Sequence, residues 1–145
     1  MTRRGFTIAE TLLVLLIFSF FSLLPAFALQ RWQQMMAVDQ FFSRLEKSIL
    51  VTQQVAITDK IQTQFALTWD NTAIFFRTSK LPESQLPQLT IPNEITVDIF
   101  TPMAFSARKG NNSEMRTITF RWPKQQQTIQ YKFQFGSGHY QKIVK

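Results

Sequence analysis

The chain has 145 residues, of which 45% are hydrophobic and 14% aromatic, and its formal net charge is +7. This length can supply the core of one small domain in addition to an N-terminal segment. The chain contains no cysteine and a single histidine, His139, which excludes disulfides and a Cys/His metal site and argues against a Ser-His triad. No Gly-rich phosphate loop and no paired carboxylates stand out. We therefore interpret the chain as non-enzymatic, with no metal and no cofactor.

An apolar run of 24 residues, 6–29, carries Glu10 as its only charge. As a helix it would be about 36 Å long, enough to cross a bilayer core of about 30 Å. A carboxylate near the centre of such a segment costs on the order of 2–3.5 kcal/mol and less near an end. If the chain is cut between Gly5 and Phe6, the new amine of Phe6 lies one turn from Glu10. The two charges then offset each other, within one chain or between neighbouring chains.

The N-terminal residues resemble the class III signal of type IV pilins and pseudopilins. The resemblance lies in Arg3, Arg4, Gly5, Phe6 and Glu10, followed at once by an aliphatic run. It implies cleavage after Gly5 by a prepilin peptidase, N-methylation of Phe6 and a role for Glu10 in assembly. Arg3 and Arg4 would hold the leader in the cytoplasm.

Two other interpretations of the apolar run stay open. Residues 26–28 form an A-x-A site after an apolar core at 12–24, which is the pattern of an ordinary signal peptide cleaved after Ala28. A plain single-pass anchor also fits the length. Neither alternative explains Glu10.

Beyond Pro25 the pattern remains helical. Apolar or small residues recur at spacings of three and four, and they predict one face of an amphipathic helix: Met35, Val38, Phe42, Leu45, Ile49, Thr52 and Ala56. The simplest interpretation is one helix from about residue 6 to residue 56, bent near Pro25. We divide the chain into a leader (1–5), a transmembrane or filament-core helix (6–29), its amphipathic half (30–57) and a β-domain (58–145).

The rest of the chain predicts strands separated by turns. Asp70 and Asn71 signal a turn whose return strand covers residues 73–77. Three prolines predict a loop at 81–93, and a polar loop is expected at 106–113. The alternating apolar sets are Phe65, Leu67 and Trp69; Ile95, Val97 and Ile99; Ile118, Phe120 and Trp122; Ile129, Tyr131, Phe133 and Phe135; and, more weakly, Tyr140 and Ile143.

The predicted fold class is therefore α+β and pilin-like, with one long N-terminal helix packed on a C-terminal antiparallel β-meander. Within the superfamily, the chain most resembles the competence minor pseudopilins of Gram-positive bacteria, of the ComGD type. That finer resemblance lies in the polar loop after residues 105–108, in residues 118–120 and in the closing hairpin with its Gly136-Ser137-Gly138 turn.

The positive charge is concentrated in the C-terminal third. Residues 101–145 contain eight Lys or Arg and one acidic residue, Glu114, which accounts for the whole net charge. A basic surface of this kind attracts nucleic acid or anionic envelope polymers, or keeps a protein soluble. The candidate DNA or polyanion contacts are Arg108, Lys109, Arg116, Arg121, Lys124, Lys132 and Lys142. Trp122 or Tyr131 could stack on bases, although inward-facing aromatics beside a solvated basic face are the simpler expectation.

The resemblance implies a minor subunit of a competence pseudopilus that brings DNA across the cell envelope. Its partners would be the major pseudopilin, other minor pseudopilins, the prepilin peptidase, an assembly ATPase and a platform membrane protein. The chain would sit in the cell membrane as a single pass with its C-terminal domain outside, and later in the surface pseudopilus. The alternatives are a secretion-type pseudopilin, or a secreted or anchored basic β-domain that binds DNA or an anionic wall polymer.

Overall fold

The computed structural model of the chain describes residues 7–79 and 88–145, without the side chains of residues 23–28 and 30. The chain divides into two compact units, Met1–Met36 and Ala37–Lys145. The predicted leader and most of the predicted loop at 81–93 lie outside the described residues.

Helix α1 comprises Ile8–Thr58, so the boundary between the units falls inside it. In the second unit the predicted apolar stripe is confirmed, because its members are buried: Val38, Phe42, Leu45, Ile49, Thr52 and Ala56. Met35, the first residue of the predicted stripe, is exposed. Phe41 is also buried, although its position was not part of the stripe.

Within the described residues, eight strands follow α1 and form two antiparallel sheets of four strands each. Sheet 1 has the order β3-β2-β1-β5 and sheet 2 the order β4-β6-β7-β8. The strands are β1 (Thr63–Leu67), β2 (Ala73–Thr78), β3 (Leu89–Thr90), β4 (Thr96–Ile99), β5 (Met103–Phe105), β6 (Arg116–Trp122), β7 (Gln127–Phe133) and β8 (Tyr140–Val144).

Two of the predicted strand arrangements are confirmed. β1 and β2 form the expected hairpin, with Phe65 opposite Phe76, and Asn71 adopts the left-handed conformation that the turn needs (φ 58°). β6, β7 and β8 form the expected meander, with Ile118 opposite Tyr131. Trp69 departs from the prediction, because it lies in the turn beyond β1 and is 96% exposed.

The predicted pilin-like fold class is wrong in two respects. First, among the described residues no helix is long and apolar enough to span a membrane, so the membrane half of the expected helix is not found. Second, the β-domain is not a single meander. β4 joins sheet 2 while β5, which follows it in the chain, joins sheet 1. Pro102 lies between them, and it has no N–H to continue a strand ladder.

Aromatic side chains join the two sheets and the helix in one core. Phe65 of sheet 1 lies 6.1 Å, centroid to centroid, from Phe133 of sheet 2. On the helix side, Phe41 and Phe42 contact Phe120 edge-on at 5.7 and 5.5 Å. Truncating a buried Phe costs about 3–5 kcal/mol, so each of these rings contributes substantially to the stability of the second unit.

Polar contacts fix the C-terminal end of α1 against the loop at 106–113. The buried Gln53 amide donates to the carbonyl oxygen of Gly110 at 3.0 Å. The backbone N–H of Arg108 donates to the carbonyl oxygen of Ala56 at 3.0 Å. Gly138, in the turn between β7 and β8, packs directly on this site, since a Cβ there would lie 2.3 Å from the Gly110 oxygen and 2.4 Å from the Gln53 amide nitrogen.

We predict that Gly138→Ala destabilises the protein by about 2–4 kcal/mol, because it adds a steric clash to a left-handed backbone (φ 71°). Gly136→Ala is the matched control: its φ is 74°, but a Cβ there has no neighbour within 4 Å among the described residues. The control should lose only about 1–2 kcal/mol, the strain of the left-handed backbone. Urea unfolding of both variants measures the difference, and equal losses would contradict the packing argument.

Candidate functional site

The predicted processing site lies at the edge of the described part of the chain. Arg3, Arg4, Gly5 and Phe6 are outside the described residues. Glu10 is in the first turn of α1 and is exposed to solvent. Its carboxylate forms no hydrogen bond or ion pair with another residue of the described ranges.

Thr7 caps the helix that contains Glu10. It precedes the first helical residue, and its carbonyl oxygen accepts from the N–H groups of Glu10 and Thr11 at 3.0 and 3.2 Å. Its hydroxyl oxygen lies 3.4 Å from the N–H of Glu10. The pattern Thr-x-x-Glu at 7–10 is the sequence of a capping box, of which the structure shows the half that runs from the Glu10 N–H to the Thr7 hydroxyl. The Glu10 carboxylate lies in the first turn, where the positive end of the helix favours a negative charge. This signal was present in the sequence, and it gives Glu10 a second possible role besides pairing with a free amine.

The first turns of α1 expose an apolar surface. Side chains of residues 8–22 include one charge, Glu10, and the large apolar ones are between 41% and 80% exposed. The hydroxyls of Ser19 and Ser22 donate to carbonyl oxygens one turn earlier in the helix, at 2.8 Å. Helices that are apolar on every side are normally buried, in a protein core or in lipid. This segment therefore has the composition of a surface that another apolar body covers.

The structure divides the seven predicted basic contacts into paired and unpaired groups. Arg116 pairs with Glu114, Arg121 with Asp98 at 2.6 Å, and Lys142 with Glu46 at 2.8 Å. Arg108, Lys109 and Lys132 are exposed and have no ion pair with another described residue. Lys124 is exposed next to the 3₁₀ turn Pro123–Gln125.

The basic residues of sheet 2 do not share one face, in contrast to the expectation that all of them point outward. Residues directly opposite each other in antiparallel strands lie on the same face. Arg116 is opposite Phe133 and Lys142 is opposite Tyr131, so these two cations belong to the core-facing side. Lys132 is opposite Thr117 and Gln141, on the outer face, as is Arg121, opposite Thr128. The interpretation that all four point outward is therefore wrong for Arg116, which lies two residues before Ile118 and shares its face, and for Lys142.

The aromatic residues suggested for base stacking are unavailable for it. Tyr131 is fully buried and Trp122 is nearly so. The simpler expectation, that these aromatics face inward, is confirmed. His139 is exposed and follows the turn at 136–138, as expected from the sequence.

Arg116 also lines a pocket of about 240 Å³ between β5 and the start of β6, together with Gln64, Met103 and Asn112. Ligand pockets usually exceed about 300 Å³. The guanidinium of Arg116 is already paired with Glu114 at this position. We therefore assign no binding role to the pocket.

In the residues that the structure describes, no three His, Cys, Asp or Glu side chains are grouped as metal ligands. The chain matches no protein-family model, no curated protein and no solved structure. Its function must therefore be inferred from its own residues.

Glu46 connects Lys142 to the helix and to the core. Its Oε1 atom accepts from the Tyr131 hydroxyl at 2.9 Å and from Lys142 Nζ at 2.8 Å. Lys142 Nζ also lies 5.6 Å from the centre of the Phe42 ring. Burial, and then the nearby Glu46 charge, raise the pKa of the Tyr131 hydroxyl far above its usual range. Lys142 therefore acts mainly in packing sheet 2 against α1.

We predict that Tyr131→Phe lowers the free energy of unfolding by about 1.5 kcal/mol, the usual contribution of a hydrogen bond to a charged acceptor. Because the pKa of Tyr131 is raised in the folded state, its neutral form contributes stability that is complete below about pH 10 and is lost as the pH rises further. Tyr131→Phe should make that alkaline loss shallower in urea titrations. Tyr140→Phe, whose hydroxyl has no hydrogen bond with another described residue, is the control, and an equal loss there would contradict the assignment.

Proposed function

We propose that this chain is a minor pseudopilin, a non-enzymatic structural subunit of a competence pseudopilus that takes part in DNA uptake across the cell envelope. The observation that supports the proposal is that several features of such a subunit occur together at the N-terminus. A Gly5-Phe6 bond, a cap at Thr7 and a lone acid at Glu10 immediately precede a helical segment whose large apolar side chains are exposed.

Each of these features has a physical role in such a subunit. Cleavage after Gly5 places a positive amine on Phe6, next to the positive end of the helix that begins at Ile8. The Glu10 carboxylate, in the first turn, offsets the positive charge of the amine and the partial positive charge of the helix end. In a filament the carboxylate of one chain can also pair with the amine of its neighbour, because a charge buried without a partner costs several kcal/mol.

The exposed apolar segment supplies the association energy. Burying a Leu or Phe side chain contributes about 1.5–3 kcal/mol, and residues 8–22 expose many of them. Apolar contacts are not directional, so they permit several alignments of neighbouring helices. A charge pair at Glu10 permits one alignment, and it thereby sets the axial register.

The proposed partners are the major pseudopilin, other minor pseudopilins, the prepilin peptidase, an assembly ATPase and a platform membrane protein. Arg3 and Arg4 would keep the leader cytoplasmic until Gly5 is cleaved from Phe6, which is then N-methylated. We place the precursor at the cell membrane and the mature subunit in a surface pseudopilus. A secretion-type pseudopilus would use the same residues, and gene neighbourhood distinguishes the two systems.

The intact mass of the mature protein tests the processing step. We expect a chain that starts at N-methylated Phe6 when the protein is purified from its own cells. Gly5→Leu should leave the leader attached, because the peptidase would lose its small residue. A mature chain that starts at Leu29 would instead support the alternative, a basic β-domain released by ordinary signal cleavage after Ala28.

Substitutions of Glu10 separate its two candidate roles. Gln at this position keeps the Thr-x-x-Gln pattern of a capping box but carries no charge, whereas Val has neither a capping side chain nor a charge. We predict that Glu10→Gln and Glu10→Val are both processed normally and that both reduce incorporation into filaments by about tenfold or more, since an unpaired buried ammonium costs about 3–5 kcal/mol. Sheared filaments quantified against whole-cell protein measure the effect.

Thr7→Ala is the matched control, because it weakens the cap and keeps the charge. Loss of an N-cap costs about 1 kcal/mol of helix stability, so this variant should incorporate almost normally. If Glu10→Gln incorporates like the unmodified protein while Thr7→Ala does not, capping rather than charge pairing is the role of Glu10.

A further inference from the structure

The turn between β1 and β2 holds a tryptophan in solvent. Trp69 is 96% exposed, which is the highest exposed fraction among the large hydrophobic side chains that the structure describes. Trp side chains are on average highly buried, and they are enriched at interfaces, where one large ring supplies much of the contact area. Trp69 is therefore a side chain that a second molecule can cover.

Hydrogen bonds hold this turn in one conformation. The Asn71 N–H donates to the carbonyl oxygen of Thr68 at 3.0 Å, and the Thr68 N–H donates to that of Ala73 at 2.9 Å. The hydroxyl oxygen of Thr68 also accepts from the Ala73 N–H at 3.1 Å. A partner would meet a preorganised turn, so little affinity would be lost in ordering it.

The Asp70 carboxylate, next to Trp69 in the chain, is fixed by the same turn. Its Oδ1 atom accepts from the Thr72 N–H at 3.2 Å, and its Oδ2 atom accepts from the Thr72 hydroxyl at 2.8 Å. Hydrogen bonding to the Thr68 and Thr72 hydroxyls lowers the pKa of Asp70, so the carboxylate is charged at neutral pH. A carboxylate has about four lone-pair sites, and Asp70 therefore retains capacity to accept from a second molecule.

Trp69 and Asp70 border one surface. The bond from Asn71 to Thr68 makes them the two central residues of a β-turn, and neither has a positive φ, as in a type I turn. In this nearly helical backbone, successive side chains diverge by about 100° rather than by the roughly 180° of a strand. Their Cα atoms are about 3.8 Å apart, so one side chain of a partner can contact both. We call this surface, Trp69 and Asp70, the Trp69 tip.

In sheet 1 the residues around the Trp69 tip carry no cation. Residues 61–76 and 88–107 contain three acids and no Lys or Arg. Arg77, the nearest cation along β2, is five residues beyond Thr72, about 16 Å along the strand. Its guanidinium carbon lies 5.4 Å from the centre of the Phe75 ring. The charge of Asp70 therefore favours a cationic partner at the tip and disfavours nucleic acid or anionic lipid.

We propose that the Trp69 tip binds an arginine side chain of a partner protein. The guanidinium stacks on the indole and donates to the Asp70 carboxylate, because a planar guanidinium can do both. Trp and Arg are also enriched among the residues that dominate protein–protein binding. An apolar pocket would cover the indole but would bury the Asp70 charge without a partner. The inference adds a protein-binding surface that the proposed function does not require.

The test is an NMR titration of the isotope-labelled full-length chain, kept in solution by a mild detergent, with the peptide acetyl-Ala-Arg-Ala-amide. The indole N–H signal of Trp69, assigned by its loss in Trp69→Leu, should shift and saturate. The matched probe has citrulline in place of arginine, which keeps the shape of the side chain and removes its charge. It should bind about threefold more weakly or worse. The absence of a saturating shift, or equal binding of the two peptides, would overturn the proposal.

Asp70→Asn tests the carboxylate. Asn keeps an oxygen that accepts from the Thr72 N–H, so the turn is retained while the charge is lost. This variant should bind the arginine peptide about threefold more weakly and with less dependence on salt. Asp59→Asn is the matched control, because it removes the same charge between α1 and β1, at the other end of the β1–β2 hairpin. Equal losses in the two variants would reduce the effect to net charge and would contradict the assignment.

A lipid surface is the competing partner for an exposed Trp, because indole rings favour the membrane interface. Nuclear Overhauser contacts between the Trp69 indole and the detergent chains measure this directly. We expect them to be absent at position 69 and strong along residues 8–22. Strong contacts at Trp69 would assign the tip to lipid and would overturn the proposal.

These outcomes are independent of the proposed function. The titration is measured on the purified chain, whereas cleavage after Gly5 and filament incorporation are measured in cells. A mature chain that starts at Leu29 would still contain the Trp69 tip, so a failure of either proposal leaves the other open to its own test.

Discussion

The edge-on packing of Phe41 and Phe42 against Phe120 anchors α1 to sheet 2, and the rest of the second unit is arranged around it. Sheet 1 joins the same core from the other side through Phe65 and Phe133. Polar contacts then fix the helix along its length. Glu46 is held by Tyr131 and Lys142, and the hydroxyl of Thr63 donates to the carbonyl oxygen of Thr52 at 2.9 Å. A core built from so many rings needs no disulfide, which is consistent with the absence of cysteine.

Two glycines allow the loop at 106–113 and the turn at 136–138 to touch. Gly110 and Gly138 approach so closely that a side chain at position 138 would overlap the backbone oxygen of Gly110. The buried Asn112 completes the junction by contacting both Gly136 and Gly138. The loop at 106–113 and the turn at 136–138 are separated by the whole β6–β7 hairpin in the chain, and these contacts bring them together.

The N-terminal unit exposes its apolar side chains, whereas the second unit buries most of its own. Its described side chains between residues 8 and 22 are apolar on every side and exposed, whereas in the second unit the apolar stripe of α1 is covered. Helix α1 therefore has two apolar surfaces: the stripe in the second unit is covered by the rest of the chain, and the surface of residues 8–22 is exposed. The cap at Thr7 marks where the uncovered surface begins. In the proposed filament, neighbouring chains supply the missing cover.

Much of this molecule follows from local sequence patterns. Spacings of three and four predicted the buried stripe of Val38, Phe42, Leu45 and Ile49, and alternation predicted the β6–β8 meander, because periodicity depends only on which face is apolar. The motif around Gly5 and Glu10 also depends only on local order in the chain, and its role in processing and assembly stays a prediction. Local patterns of this kind cannot predict which strands or side chains pair when they are distant in the sequence. The strand at Met103–Phe105 was not among the predicted sets, and no local pattern indicates that β5 pairs with β1 rather than with the neighbouring β4. The interpretation that Arg116 and Lys142 point outward was wrong, because cross-strand register puts them opposite Phe133 and Tyr131. Which cations are free and which are paired is a property of three-dimensional distances between carboxylates and ammonium or guanidinium groups, and only the tertiary structure determines those.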